Sequence, residues 1–424
     1  MTLSFPDPSE NRMGEDQDRL SEAQGIQLCR VRNEYARPKS YKAVALACFV
    51  LLASATIPTP LYQLYREAFH FSNFVLTLIF GIYSFGVIPA LLVFGPLGDA
   101  ICRRRVLMLA LCTAAAGIVV LMAARGVFWL LAGRLLVGVA VGASQGNASA
   151  ALVEMQPQGD RRRAGRMTTT STVGGAAAGT LVSGLLAEYL PDPLLLSYIL
   201  ELGLLGFALA LVANIQEAAS PALSFAGFHR PDLPRGIAAG FMAASLAGGL
   251  AWSVAGLFLA LVPSYVSNLL HVRNLAAGGA LVALMLGSSI VVQLIFGNLS
   301  NFRLQVFGMG GAVLGMAAVV AAWHLSSLAL MIIGSVVCGA SIGMAYLGSI
   351  SEINRLAAPD ERGRVNSLYF VMVYLFFSVP TIVLGFAATH LGLYAAVCTF
   401  AGIIAILTIA EMAWLAIRHG AGAI

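Results

Sequence analysis

The chain has 424 residues, 59% of them hydrophobic and 11% charged, with a mean hydropathy of +0.84 and a formal charge of +5. A soluble domain carries roughly 25% charged residues, so the composition excludes a soluble globular fold and predicts an all-α membrane protein. The positive charge does not point to nucleic acid, because the basic residues cluster in short polar stretches between apolar runs, where they set orientation in a bilayer.

Residues 1–40 are polar, with scattered apolar positions. They read as a disordered cytoplasmic tail and not as a signal peptide, since the first apolar run lies beyond them. Hydrophobic runs of about 20 residues span a bilayer as helices. Twelve are predicted, at 43–65, 74–94, 106–123, 127–152, 167–189, 194–215, 236–266, 275–299, 304–322, 326–350, 365–388 and 392–416. The seventh is long enough to tilt or kink, with Pro263 as the kink site.

Between spans two and three lies GPLGDAICRRRVL, Gly95 to Leu107. Gly95, Pro96 and Gly98 predict a tight turn there, followed by the cations Arg103, Arg104 and Arg105. With the N-terminus inside, the tail, the even-numbered loops and the C-terminus hold 21 of the 25 Lys and Arg residues, and the other loops hold Arg66, Arg125 and Arg273. That asymmetry predicts cytoplasmic termini. The polar stretch 216–235 has three prolines and reads as a cytoplasmic linker between two halves, 41–215 and 236–424.

The halves repeat each other. Gly133, Gly138 and Gly142 of span four match Gly334, Gly339 and Gly343 of span ten at an offset of 201. GPLGD after span two matches GNLSN after span eight at 202, and RRRAGR before span five matches DERGR before span eleven at 198. Six spans per copy place the copies in the membrane in the same sense, so the axis relating them runs along the membrane normal and a substrate site lies between them.

Twelve spans in two parallel halves, with this opening loop, resemble the major facilitator superfamily over about residues 40–418. Gly95, Leu97, Asp99, Arg103 and Arg104 occupy matching positions of its loop motif; Ala100 and Cys102 depart from it, the latter where a glycine is common. The resemblance implies two six-helix pseudo-symmetric halves and a gating role for Gly95, Asp99, Arg103 and Arg104. Asp99 is expected at the N-terminal end of span eleven, where a carboxylate meets a positive helix end. Arg105 reads as a topology signal. Arg134-Leu-Leu-Val-Gly138 is similar to a second family motif in span four, and Gly175, Gly179 and Gly184 give a partial match to its exporter-associated pattern in span five, lacking the proline.

Arg134 is of interest without the family. A central arginine costs about 2.5–3.5 kcal/mol to insert and usually faces a cavity or a partner; snorkelling to the interface is the alternative. Arg134, Gly138, Val141 and Gln145 fall within about 60° of one another on one helix face, and that face is expected to line the cavity. Glu201 in span six lies at a similar depth, so Arg134 and Glu201 are the candidates for proton coupling, as a pair or apart. Glu154, Glu352 and Glu411 read as solvated helix ends. The substrate candidates on the expected lining spans 1, 2, 4, 5, 7, 8, 10 and 11 are Tyr62, Gln63, Tyr83, Gln145, Trp252, Tyr265, Gln293, Tyr346 and Tyr374, with Asn147 and Tyr369 beside them. Gln145 and Tyr346 are equivalent in the repeat, while Asn147 points away from Gln145. Aromatics, amides and one cation suit a small amphipathic or anionic organic solute.

Six cysteines, Cys29, Cys48, Cys102, Cys112, Cys338 and Cys398, form no CxxC pair, so neither a metal site nor a disulfide framework is expected. A nucleotide-binding GxxxxGK[ST] sequence and an acid–base–nucleophile set are lacking, so no cofactor and no enzyme activity are expected. The expected protein is a monomeric, multi-pass transporter of a bacterial-style inner membrane, exporting a small organic compound at the expense of a proton gradient. Proton symport of an organic acid and a non-transporting sensor are the alternatives.

Overall fold

The computed structural model describes residues 38–158, 160–215, 235–270, 274–358 and 362–420. The predicted tail up to residue 37 and the predicted linker up to residue 234 lie outside the described residues, while Pro38 to Ser40 already belong to the first helix. Among the described residues there are twelve membrane-length helices and no strand. We label them α1 (Pro38–Phe69), α2 (Asn73–Ile101), α3 (Arg103–Met122), α4 (Val127–Glu154), α5 (Arg161–Tyr189) and α6 (Pro193–Ala213) in the first half. The second half has α7 (Ala238–Ala260, continued by Val262–Leu270), α8 (Leu275–Phe296), α9 (Asn301–His324), α10 (Leu328–Leu356), α11 (Arg362–His390) and α12 (Leu393–Gly420).

Short polar residues start these helices as their chemistry requires. Ser72 caps α2, Asn274 α8, Ser300 α9 and Ser327 α10, each side-chain oxygen accepting from a backbone N–H three residues on. Asp160 caps α5, accepting from the N–H groups of Arg162 and Arg163. Its negative charge offsets an arginine-rich first turn set against the positive end of the helix.

Helices α1 and α7 are interrupted, at Ile57 and at Leu261. Pro58 and Pro60 have no N–H to return to the carbonyls of Ser54 and Thr56. The predicted kink of span seven falls at Leu261, with Pro263 in the first turn beyond it. The loop after α2 departs from expectation. Gly95, Pro96 and Gly98 form no tight turn; α2 runs through them to Ile101, and the chain reverses at Cys102 (φ 91°, ψ 120°). Pro96 leaves Leu92 O without its helical donor, and beside that weak point the Asn147 amide of α4 donates to Phe94 O at 2.7 Å.

The repeated glycines do equivalent work in both halves. A Cβ at Gly138 would lie 2.2 Å from Tyr83 O of α2, and one at Gly142 would lie 2.4 Å from Val87 O. In the second half, a Cβ at Gly339 would lie 1.9 Å from Met285 O of α8, and one at Gly343 would lie 2.5 Å from Ser289 O. Polar ties repeat too. Arg103 pairs with Glu154 at 3.0 Å across the start of α3 and the end of α4. Asn301 donates to Glu352 at 2.9 Å across the start of α9 and the end of α10. Glu352 also takes Arg355 and is buried, so it is more than a solvated helix end. Glu411 is buried as well.

Two substitutions test this packing by thermal unfolding in detergent. Gly339→Ala is expected to destabilise by about 1–3 kcal/mol through forced helix separation, whereas Gly203→Ala, with nothing within 4 Å of the new methyl, is expected to be neutral or mildly stabilising. Cys102→Gly is expected to stabilise by about 1 kcal/mol by removing a side chain from positive φ, and Cys102→Val to do the opposite.

Candidate functional site

A cavity of about 1420 Å³ lies between the halves. Its walls come from α1, α2, α4, α5, α7, α8, α10 and α11, with Arg103 of α3 at the rim. It reaches from Thr56, Arg134 and Leu259 in the membrane interior to Arg103, Arg162, Arg166 and Arg364 at the arginine-rich end of the bundle. At the opposite end the halves meet. Phe74 N–H donates to Thr389 Oγ1 at 3.0 Å, and the Phe74 and Phe386 rings stack edge to face. Glu188 of α5 accepts from Leu275 N–H, the first residue of α8, at 2.8 Å. Beside it, a Cβ at Gly184 would lie 3.3 Å from the Cα of Gly279.

Arg134 is 2% exposed and lines the inner end of the cavity. Its guanidinium lies over the rings of Phe80 and Tyr83, at 5.1 and 4.8 Å from their centroids. Nη1 donates to Ala55 O beside the interruption of α1, and buried Nε has no hydrogen-bond partner. It therefore points inward and does not snorkel. Glu201 is fully buried against α1, not the lipid, and accepts from Ser54 Oγ through Oε1 while Oε2 is unpartnered. Of the two arrangements left open for Arg134 and Glu201, as a pair or apart, they stand apart and form no ion pair. The two hold consecutive residues of α1 instead, Ala55 and Ser54.

Tyr83, Gln145, Trp252, Gln293, Tyr346 and Tyr374 all line the cavity. Tyr374 OH of α11 donates to Gln145 Oε1 of α4 at 2.8 Å, so this bond crosses between halves. Tyr83 packs on Tyr374, and Tyr346 packs edge to face on Trp252 at 5.8 Å. Gln145 and Tyr346 thus share the cavity, each with its own neighbour. Asn147 sits at its edge, its amide committed to Phe94 O and Ala143 O.

Three sequence candidates fall elsewhere. Tyr62 is buried edge to face on Phe80, Gln63 is half-buried, and neither lines the cavity. Tyr265 donates to Val319 O at 3.1 Å and packs on Trp323. All three lie beyond the interruptions of α1 and α7, on the segments toward the closed end. Tyr369 is also buried outside the lining. Conversely, Arg162, Arg166, Arg364, Thr172 and Ser289 line the cavity without having been singled out. Arg166 and Arg364 were visible as the conserved register of the RRRAGR and DERGR repeat, but loop arginines read first as topology signals.

Of the loop residues, Gly95 and Arg103 line the cavity, and Arg104 donates to Ala213 O at the C-terminal end of α6, a favourable place for a cation. Arg105 is exposed. The side chain of Asp99 lies outside the described residues. Among the described residues no His, Cys, Asp and Glu cluster is suited to hold a metal ion.

Solved structures share this architecture. A D-xylose–proton symporter aligns with a TM-score of 0.74 at 12% identity, covering 89% of this chain and 97% of its own. A bacterial homologue of the human lysosomal transporter Spinster, inward-facing and occupied, aligns at 0.71 and 14%, covering 90% and 97%. A POT family transporter in complex with 5-aminolevulinic acid aligns at 0.71 and 13%, covering 90% and 96%. No curated protein matches the chain. At these identities the likeness establishes the fold, and the family rests on sequence: the Major Facilitator Superfamily pattern matches residues 44–379, so the chain belongs to that superfamily of transporters.

Proposed function

We propose that this protein is a secondary-active transporter that exports a small organic compound in exchange for protons by alternating access. The observation that carries the reading is the cavity: both halves line it, it reaches one end of the bundle, and a buried cation sits at its inner end. By the distribution of lysine and arginine, the open end is cytoplasmic, which puts both termini inside and the protein, as a monomer, in a bacterial-style inner membrane.

Gating follows from the two sets of contacts. In this inward-open state the outer end is held by Glu188 at the N-terminus of α8 and by the Phe74–Thr389 contact. In the outward-open state the loop of Gly95, Asp99, Arg103 and Arg104 closes the inner end against α11, with Arg103 and Arg104 already anchoring the start of α3 to α4 and α6. Proton coupling is assigned to Glu201 together with Arg134. A buried carboxyl with one hydroxyl partner is a place to hold a proton, and it touches α1 one residue from the carbonyl that Arg134 holds. Uptake of an organic acid by proton symport is the second reading, favoured by the lack of a carboxylate partner for Arg134 among the described residues.

Everted vesicles with an imposed pH gradient separate the two directions. In proteoliposomes, Glu201→Gln is expected to abolish gradient-driven flux while leaving solute exchange at equal pH within about twofold; unchanged gradient-driven flux removes Glu201 from coupling. Glu188→Gln is expected to raise labelling of a Thr389→Cys reporter from the outer side severalfold, as the closed end loosens. Labelling equal to that of the parent would show that Glu188 does not hold that end.

A further inference from the structure

The transport reading leaves the charge of the solute open, and the cavity wall speaks to it. Five arginines line it, Arg103, Arg134, Arg162, Arg166 and Arg364, and among the described lining residues there is no Asp, Glu, Lys or His. Arg103 is met by Glu154, whose carboxylate is more than half exposed and outside the lining. Arg162 and Arg166 are exposed at the mouth. Arg134, deep inside, has no carboxylate partner among the described residues.

We propose that the solute is a small organic anion, carrying a carboxylate or an equivalent oxyanion on an apolar body, and that Arg134 is its anchoring group. The geometry around Arg134 fits this role. The faces of Phe80 and Tyr83 lie against the guanidinium and attract its charge without using its N–H donors. Nη1 is held by Ala55 O, which fixes the plane, and Nε has no acceptor. An oxyanion that accepts from a planar guanidinium supplies what is missing, with the geometric match that this group offers to carboxylates. A buried cation without a counter-charge is costly, so a bound anion lowers the cost of closing the cavity around it.

The rest of the wall fits the apolar body. Trp252, Tyr346 and Tyr374 present aromatic surface, and Trp252 Nε1 is a buried donor without a partner. The same arginines at the mouth concentrate anions and repel cations, because a cleft lined by one sign of charge focuses the field. A cationic solute would meet the same sign from rim to floor.

This inference rests on the transport reading for its biological use, but binding tests it separately. The full-length protein in detergent is titrated with matched probes, followed by its tryptophan fluorescence and thermal stability. The probes are benzoate, benzamide and benzylamine, then indole-3-acetate, its amide and tryptamine. In at least one set the carboxylate is expected to bind about tenfold or more tightly than its neutral and cationic partners. Arg134→Gln is expected to reduce that preference to about twofold or less, with Arg134→Lys retaining attraction but losing affinity should Gln not fold. Arg166→Gln is expected to slow carboxylate binding at low salt and not at high salt. Equal or tighter binding of the amide or amine, an unchanged preference in both Arg134 variants, or no binding by any probe overturns the proposal. Carboxylate binding without flux of labelled carboxylate into proteoliposomes leaves the anion site standing and removes the transport reading. Flux of only neutral or cationic probes does the reverse.

Discussion

Helices here approach one another to backbone contact in a medium that supplies no water, and the rest of the structure depends on that constraint. Most amides must find their partners within their own helix, and some that do not are met by side chains of neighbouring helices. Packing between helices cannot rely on expelling water, so it relies on close approach at small residues. Gly138 and Gly142 let α4 lie on the carbonyls of α2, and Gly339 and Gly343 let α10 lie on those of α8. Two firm half-bundles result. Between them α5 packs on α8 and α2 on α11, with Gly184 against Gly279, Glu188 on Leu275 and Phe74 on Thr389 toward the closed end, and Tyr374 on Gln145 at the cavity.

Within this frame the buried charges have been placed by helix position more than by mutual attraction. Arg134 and Glu201 lie at similar depth, yet each bonds to α1 and not to the other. Among the described residues the cavity therefore keeps its inner cation without a carboxylate partner, while the carboxyl of Glu201 stays behind the wall. A direct pair would have neutralised both groups and left little for a solute or a proton to change.

The twelve helices and the eight spans that wall the cavity were legible in the sequence. Hydrophobic length marks a span directly, and the glycines marked the repeat. Of the face expected to line the cavity, Arg134 and Gln145 do so, while Gly138 packs on Tyr83 O of α2 and Val141 is buried outside the lining. Tyr83, Gln145, Trp252, Gln293, Tyr346 and Tyr374 were found because polar and aromatic side chains are sparse in such helices. Tyr62, Gln63 and Tyr265 read as polar and aromatic residues of lining spans, but they sit beyond the breaks of α1 and α7, on the segments toward the closed end and outside the lining. The loop motif misled differently. Gly95, Pro96 and Gly98 are turn formers in water, but Pro96 sits within a helix here, with Asn147 of α4 donating to Phe94 O beside it, and the reversal falls on Cys102. The partner of Glu201 was invisible because a serine in an apolar run reads as filler.

The interruption of α1 has a consequence for how the solute is felt. Where prolines remove helical donors, Arg134 lends one to Ala55 and Ser54 lends its hydroxyl to Glu201. The weakest joint of the first helix is thus splinted by the two groups to which binding and protonation are ascribed. Any ligand that turns the guanidinium toward itself, or any proton that changes what the carboxyl accepts, loosens or tightens that splint. The half of α1 beyond Ile57 carries Tyr62 and Tyr65 toward the sealed end, where Tyr65 reaches Tyr198 and Leu121 O. A single helix would then act as a lever, with its fulcrum at the binding site and its shorter arm, Pro58–Phe69, at the door.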